Sequence, residues 1–312
     1  CAMYFLFRSF HGGFGNTTAS VQPSTIAWTS SPGTSVLFNN VSAYTITVTD
    51  STGSTILSLT TIPPRMSQLG PTLASLLRQS APIEAILLWI PERYRRAGFA
   101  DFTLPDLPAE VELRRSAADF GPATKVLPTV QAYRGQDVRI LYCDDDRIYH
   151  PDWAQRMIDE SDRFPEDCIC EAGERVAVTQ ARAFGNTWRY QLYTKLSLGL
   201  YGHFHRRRIR ALDPGHGPVD IAKGYGGVLV RPHFLTEAAF DIPDILWTVD
   251  DVWLSGQMAL NGVTIRKITR QVNSTKTDAA DVDALLDLVV EEQGRDAANL
   301  ACIRYFQDTY GV

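Results

Sequence analysis

Cysteine is scarce in this 312-residue chain: there are five, with Cys168 and Cys170 the close pair. An odd, sparse set is no disulfide framework, and its spacings offer no four-ligand zinc site, so reduced thiols in a cytoplasmic setting are expected. No run approaches the ~20 apolar residues that a membrane span requires, which leaves peripheral contact as the expected route to a bilayer. Net positive charge is absent as well. At a formal charge of −5 the chain is not suited to binding nucleic acid through bulk electrostatics, although a local basic patch can still serve a phosphate. Histidine is rare, and none of the six lies beyond His233. Missing too is the Gly-x-x-x-x-Gly-Lys spacing that cradles phosphate in a nucleotide-binding P-loop. What the chain does have is 45% hydrophobic and 21% charged residues, enough for one large or two modest domains with a sizeable core.

The organisation changes near residue 50. Residues 1–50 are rich in Ser, Thr, Gly and Asn, with short β-like pieces at Val36 to Phe38 and Tyr44 to Val48. They read as an N-terminal extension, β-rich or partly ordered, with no basic start and small-residue cleavage site of a signal peptide. From residue 55 onward strand-like and helix-like segments alternate, which predicts an α/β fold with a sheet flanked by helices. Ile56 to Thr61, Ile83 to Ile90, Glu110 to Arg114, the run through Val138, Ile140 and Leu141, Arg175 to Gln180, Val228 to Arg231 and Val263 to Ile268 read as strands. Helices are expected after Gly70-Pro71, with Leu69, Leu73, Leu76 and Leu77 as the apolar stripe, and over Pro122 to Tyr133. Others are expected from Pro151, with Trp153, Met157 and Ile158 buried, and over 188–200, 250–261, 281–292 and 295–308. A division at residue 51 then gives one catalytic-sized domain, 51–312, with halves at about 51–150 and 151–270 and C-terminal helices over 271–312.

Five segments carry chemistry. Asp144, Asp145 and Asp146 follow directly on an apolar strand, and acids at the rim of an open α/β sheet stand where ligands bind. Strand pleating predicts Asp144 and Asp146 on one side, able to hold a divalent cation with positions left for phosphate oxygens. The exit of the first strand, with Thr60, Thr61 and Arg65, puts hydroxyls and a guanidinium at the same rim, and guanidinium suits bidentate phosphate recognition. Lys125 in Gly121-Pro122-Ala123-Thr124-Lys125 offers a point charge. Lys223-Gly224-Tyr225-Gly226-Gly227 combines glycines that allow close backbone approach with an aromatic face, and Trp247 offers a second one. Asp250 and Asp251 stand at the start of a helix, where acids are favoured by the dipole and where a general base can also sit.

The ordered set, Ser58 to Pro63 with Arg65, Pro122 to Lys125, Asp144 to Asp146, Gly224 to Gly227, and Asp250-Asp251, resembles the nucleotide-sugar glycosyltransferases of the A-type (GT-A) fold, bacterial family-2-like enzymes most. The resemblance covers about residues 55 to 270 and rests on order and spacing. It implies a GT-A type, Rossmann-like mixed sheet flanked by helices. It further implies transfer of a sugar from a nucleotide-diphosphate sugar, a UDP- or GDP-sugar, to a carbohydrate or lipid-linked acceptor. The matching positions imply a metal, Mn or Mg, on Asp146 and Asp144, and nucleotide contacts from Thr60, Thr61, Arg65, Lys125, Asp144 and Asp145. Acceptor contacts fall to Tyr225, Gly226, Gly227 and Trp247. Asp250 and Asp251 match the acidic catalytic motif, with Asp251 as the base and inversion as the outcome. Many metal-dependent members add a histidine late in the chain, whereas here the last is His233; the basic segment from Tyr201 to Arg210, with His216 beyond it, is the place that can compensate by closing over the diphosphate, and it can also meet anionic lipid headgroups if the acceptor is lipid-linked.

Other readings have their own marks. A retaining transferase on the same fold follows if neither Asp250 nor Asp251 reaches the acceptor. A nucleotidyltransferase carries a Gly-rich basic loop after its first strand, where this chain has Thr-Thr-Ile-Pro-Pro-Arg; a haloacid dehalogenase-type phosphatase has Asp-x-Asp at the end of its first strand, not after several. A noncatalytic sugar-binding protein would use Tyr225, Trp247 and Trp253 without the acids.

Overall fold

A computed structural model of the chain describes strands over 18–21 and 44–47 and then residues 53–99, 102–104, 106–185, 212–213, 215–282 and 295–311. It divides into two units, residues 1–53 and 54–312. In the first, β1 (Thr18–Val21) pairs antiparallel with β2 (Tyr44–Thr47). The expected pieces at Val36 to Phe38, 188–200 and 283–292, and the basic segment Tyr201 to Arg210, lie outside the described residues.

The second unit is α/β, as the alternation predicted. Its strands are β3 (Thr55–Thr60), β4 (Ala85–Pro91), β5 (Val111–Ser116), β6 (Arg139–Tyr142), β7 (Arg147–Ile148), β8 (Cys168–Cys170), β9 (Gly173–Glu174), β10 (Gly217–Val219), β11 (Ile221–Ala222), β12 (Val228–Val230), β13 (Ile265–Lys267) and β14 (Thr275–Lys276). Eight of them form one mixed sheet in the order β10-β13-β8-β12-β6-β3-β4-β5. Strands β6, β3, β4 and β5 run parallel, and β12 lies antiparallel between β6 and β8.

Both faces of the sheet are covered, which is why its strands read as unbroken apolar runs. Alternation within the runs then sorts side chains between two cores. Ile140 and Tyr142, Cys168 and Cys170, and Val228 and Val230 enter one core, where they meet α2 (Leu127–Ala132), α5 (Asp250–Leu260) and α6 (Arg295–Tyr310). Leu57, Leu59, Leu141, Ile169 and Leu229 enter the other, under α1 (Gly70–Leu77) and α3 (Trp153–Arg163). The stripe on α1 buries Leu69, Leu73 and Leu76 and leaves Leu77 partly exposed.

Two expectations are corrected. Arg175 to Gln180 is not a strand but part of α4 (Val176–Gly185). Its Val-x-Val alternation imitates a strand, but Asp220 accepts the Val176 N–H at 2.9 Å, which satisfies one of the free donors in the first turn of a helix, and the Thr179 hydroxyl ties that turn to Glu174 at 2.7 Å. The helix expected over Pro122 to Tyr133 is broken into a 3-10 turn, Gly121–Lys125, and α2. Pro128 has no N–H to give to the Thr124 carbonyl, so a continuous α-helix is interrupted there. Asp278–Asp281 is likewise a short 3-10 turn.

Gly227 has φ +87°, and a Cβ placed on it would lie 2.2 Å from Trp153 Cζ2. Trp153 is fully buried and donates its indole N–H to the Gly226 carbonyl at 2.8 Å, so neither partner can move away. Gly227→Ala is expected to lower unfolding free energy by about 3 kcal/mol through backbone strain and overpacking. Chemical denaturation measures this, and an unchanged midpoint would refute the packing described.

Candidate active site

A cavity of about 370 Å³ opens where the parallel strands β3, β4 and β6 end, the rim at which open α/β sheets bind ligands. Of the residues selected from the sequence, Thr60, Thr61, Arg65, Lys125, Asp144, Asp145, Asp146, Tyr225, Trp247, Asp250 and Asp251 line it. Gly226 and Gly227 do not. They stand behind it, where a Cβ on Gly226 would meet Ala172 at 2.7 Å and one on Gly227 would meet Trp153.

The acidic triplet is arranged differently from a pleated strand. Ladder pairing of β6 ends at Tyr142 and residues 145 and 146 form a turn, so the three carboxylates take different partners. Lys125 Nζ donates to Asp144 Oδ1 at 2.7 Å. Asp145 is the buried one: its carboxylate accepts the Thr61 hydroxyl at 2.6 Å and Arg65 Nη1 at 2.9 Å, and its backbone carbonyl accepts the Thr72 hydroxyl at 2.8 Å. Asp146 faces Arg65 at 3.5 Å and Arg147 at 3.3 Å. Burial pushes the Asp145 carboxyl up to about 6 against the pull of Arg65 and the Thr61 hydroxyl. Asp146 is raised as well, by burial and then by Asp144.

Arg65 is committed mostly within the protein, since its Nε donates to the Val282 carbonyl at 2.8 Å. Thr60 donates to the Trp89 carbonyl at 2.8 Å, and Tyr94 donates to the Thr61 carbonyl at 3.0 Å. Lys125 is buried at 4% exposure and bridges Asp144 to Asp250, whose Oδ2 lies 2.8 Å away. Burial works against its charge, but Asp144, Asp250 and Asp251 prevail and hold the ammonium well above the ordinary lysine range. Ser58 fixes the backbone that carries it, donating to the Lys125 carbonyl at 2.6 Å. Gly224 makes room: a Cβ there would come within 2.4 Å of Lys125 Nζ.

Asp250 and Asp251 open α5, where the helix dipole favours carboxylates. Asp251 Oδ1 accepts the Gly224 N–H at 2.9 Å. Burial and then Asp250 raise its carboxyl, against Lys125 and Lys223. Trp247 and Tyr225 stand on different supports. Trp247 packs on Gly121, with its indole N–H on the Asp119 carbonyl at 3.1 Å and Arg95 over its ring. Tyr225, 41% exposed, lies under Arg147 at 4.9 Å.

The cavity also takes Tyr94, Arg96, Phe99, Asp119, Arg147, Arg182 and Lys276 from outside the five segments. Asp119 had a signal: it is an acid just before Gly121, and its carboxylate accepts the N–H groups of Arg95 and Gly121 at 2.7 and 2.8 Å. Lys276 had none, because only the fold brings it here.

Carboxylate oxygens suit a hard divalent cation, and two of those facing the cavity, on Asp144 and Asp146, fit one. Asp146 Oδ1 is buried without a hydrogen bond. Among the described residues no cluster of three or more His, Cys, Asp or Glu is placed to hold an ion by itself.

No protein-family model and no curated protein sequence matches the chain. Among solved structures it is similar to the crystal structure of S. aureus TarS 1-349, with a TM-score of 0.42 and 10% sequence identity over 82% of this chain and 72% of that one.

The raised Asp145 carboxyl has a measurable consequence. An unfolded aspartate titrates near ~3.9, so between that value and about 6 the folded chain holds a proton that the unfolded chain has released. The stabilisation from this group is therefore complete below about pH 4 and is lost as pH rises through about 6. From pH 5 to 7 the wild type is expected to lose about 1 kcal/mol relative to Asp145→Asn, which has no such titration. Urea unfolding of both proteins across that range is the measurement, and a stability difference independent of pH contradicts the assignment.

Proposed function

We propose that the chain is a glycosyltransferase that moves a sugar from a nucleotide-diphosphate sugar to an acceptor hydroxyl with inversion, with Asp251 as general base. The observation that carries this reading is the joining of the two acidic motifs across one cavity by Lys125, which contacts Asp144 at 2.7 Å and Asp250 at 2.8 Å. Asp144 to Asp146 then belong to the donor side, and Asp250 and Asp251 to the acceptor side.

The division of labour follows from the contacts. Asp250 neutralises Lys125 and so keeps the bridge intact. Asp251 is left to face the acceptor, oriented by the Gly224 N–H. Its raised proton affinity moves it toward the working range of a general base. In the step itself Asp251 takes the proton of the acceptor hydroxyl as that oxygen bonds to the anomeric carbon and the bond from carbon to diphosphate breaks. Tyr94 and Phe99 offer aromatic surface near the ends of β3 and β4, and Thr60, Thr61 and Arg65 form the wall beside them; this is the side assigned to the nucleotide. Tyr225 and Trp247 offer flat faces for sugar rings. A divalent Mn or Mg ion on Asp144 and Asp146 would supply positive charge to the departing diphosphate. No described helix is long and apolar enough to cross a membrane.

The test is a binding and hydrolysis screen over UDP- and GDP-sugars with Mn and Mg. Asp251→Asn is expected to lower kcat by about 10²- to 10⁴-fold, the contribution of a general base, with donor affinity unchanged. Asp146→Ala is expected to weaken donor binding itself. If no nucleotide sugar binds under any metal, the reading fails, and a retained anomeric configuration in the product removes Asp251 from the role of base.

A further inference from the structure

The cations lining the cavity are not equally neutralised. Arg65 is held by Asp145 and Asp146, Lys125 by Asp144 and Asp250, and Arg182 and Lys223 share Glu174 at 2.5 and 3.2 Å. Two stand apart. Arg147 has one long ion pair, Nε to Asp146 Oδ1 at 3.3 Å, and that Nε is buried with no hydrogen bond. Lys276 is exposed and has no carboxylate partner among the described residues.

These two residues are cross-strand neighbours. The ribbon of β7 and β14 is antiparallel, with Lys276 directly opposite Arg147, so both side chains rise from the same face, and both line the cavity. Like charges directly opposite on a sheet destabilise it, and a buried guanidinium N–H without an acceptor does too. The ribbon is nevertheless fixed in this register. Thr277 donates its N–H to the Asp146 carbonyl at 3.0 Å, Ser274 donates its hydroxyl to the Tyr225 carbonyl at 3.0 Å, and Tyr225 packs against the guanidinium. Two positive side chains held side by side at the wall of a cavity are complementary to one ligand chemistry.

We infer that Arg147 and Lys276 form a binding site for a phosphate-type anion, entered from the cavity. A guanidinium gives directional N–H donors and an ammonium gives a point charge, a combination matched to the oxygens of a diphosphate or of a single phosphate. Assigning that anion to the leaving diphosphate of a sugar donor rests on the glycosyltransferase reading; the anion site itself does not, because it takes inorganic pyrophosphate with no sugar transferred.

The experiment is calorimetric titration of the purified chain with inorganic pyrophosphate, in EDTA and again in Mn. Binding is expected in EDTA, weakened about tenfold in Lys276→Ala and in Arg147→Gln, as for loss of one charge-assisted contact, and largely restored in Lys276→Arg. Lys276 is exposed and its substitution leaves the fold intact, which a thermal melt verifies, so its result stands even if Arg147→Gln disturbs Asp146. Displacement of pyrophosphate by UDP or GDP places the anion on the donor, whereas simultaneous binding places it on the acceptor. Absence of pyrophosphate binding in both buffers, or equal affinity in wild type and Lys276→Ala, overturns the site. Failure of sugar turnover with pyrophosphate binding intact would instead count against the glycosyltransferase reading alone.

Discussion

The buried ammonium of Lys125 is the interaction on which the cavity depends. Asp144 follows the central parallel strand and Asp250 begins a helix more than a hundred residues later, yet one cation lies within 3 Å of both. The two carboxylates repel each other and the buried Asp250 is costly to desolvate, and the ammonium offsets both effects only because it sits between the two acids. Removal of such a partner leaves buried charge uncompensated, at a cost of about 3–5 kcal/mol. The surroundings are built to hold the lysine still. The Ser58 hydroxyl meets both the Lys125 carbonyl and the Thr129 hydroxyl at 2.6 Å, and the Trp89 indole reaches Thr129 at 2.7 Å. Those bonds tie the 3-10 turn and α2 to the sheet. A side chain at position 224 would displace the ammonium, so the glycine there serves the ion pair as much as any ligand.

The same logic separates Asp145 from its neighbours. A triplet of acids invites treatment as one metal site, but Asp145 turns inward and takes a hydroxyl, a guanidinium and a backbone bond to α1. It anchors the turn. Asp144 and Asp146 are then presented to the cavity by a rigid support, and positional rigidity is what a site for charged ligands requires.

Much of this was legible in the sequence because apolar runs and motif order are local properties. Ile140, Leu141 and Tyr142 announce a strand buried on both faces, and their division between two cores follows from pleating alone. The five chemical segments were visible for the same reason. What could not be read was partnership. Pleating predicted Asp144 and Asp146 on one side, and both line the cavity, but they follow a ladder that stops at Tyr142, a boundary set by the pairing of β12 and β3 with β6 rather than by the residues themselves. The first turn of α4 depends on Asp220, which is 44 positions away from Val176, and without that cap Arg175 to Gln180 resembles a strand. Cys168 to Cys170 is too short and too unlike a strand in composition to stand out, although it is an interior strand of the sheet, between β13 and β12. Lys276 joins the cavity through a ribbon of two residues per strand, a length at which no periodicity exists.

Charge is also distributed unevenly around the cavity, and that bears on chemistry more than its total does. Near Asp251 burial and Asp250 raise proton affinity while Lys125 and Lys223 oppose them. Further unneutralised cations there would depress the carboxyl and make it a poorer base. Lys223 is partly neutralised by Glu174 and Lys125 by Asp144 and Asp250, so neither exerts its full field on Asp251. The cations with the least carboxylate pairing, Arg147 and Lys276, lie instead on the ribbon beside Asp146. The proposed base and the proposed anion site set different demands on the same cavity, one for negative surroundings and one for positive. Pairing the cations near Asp251 internally, while Arg147 keeps one long ion pair and Lys276 none among the described residues, would allow both demands to be met within a single enclosure.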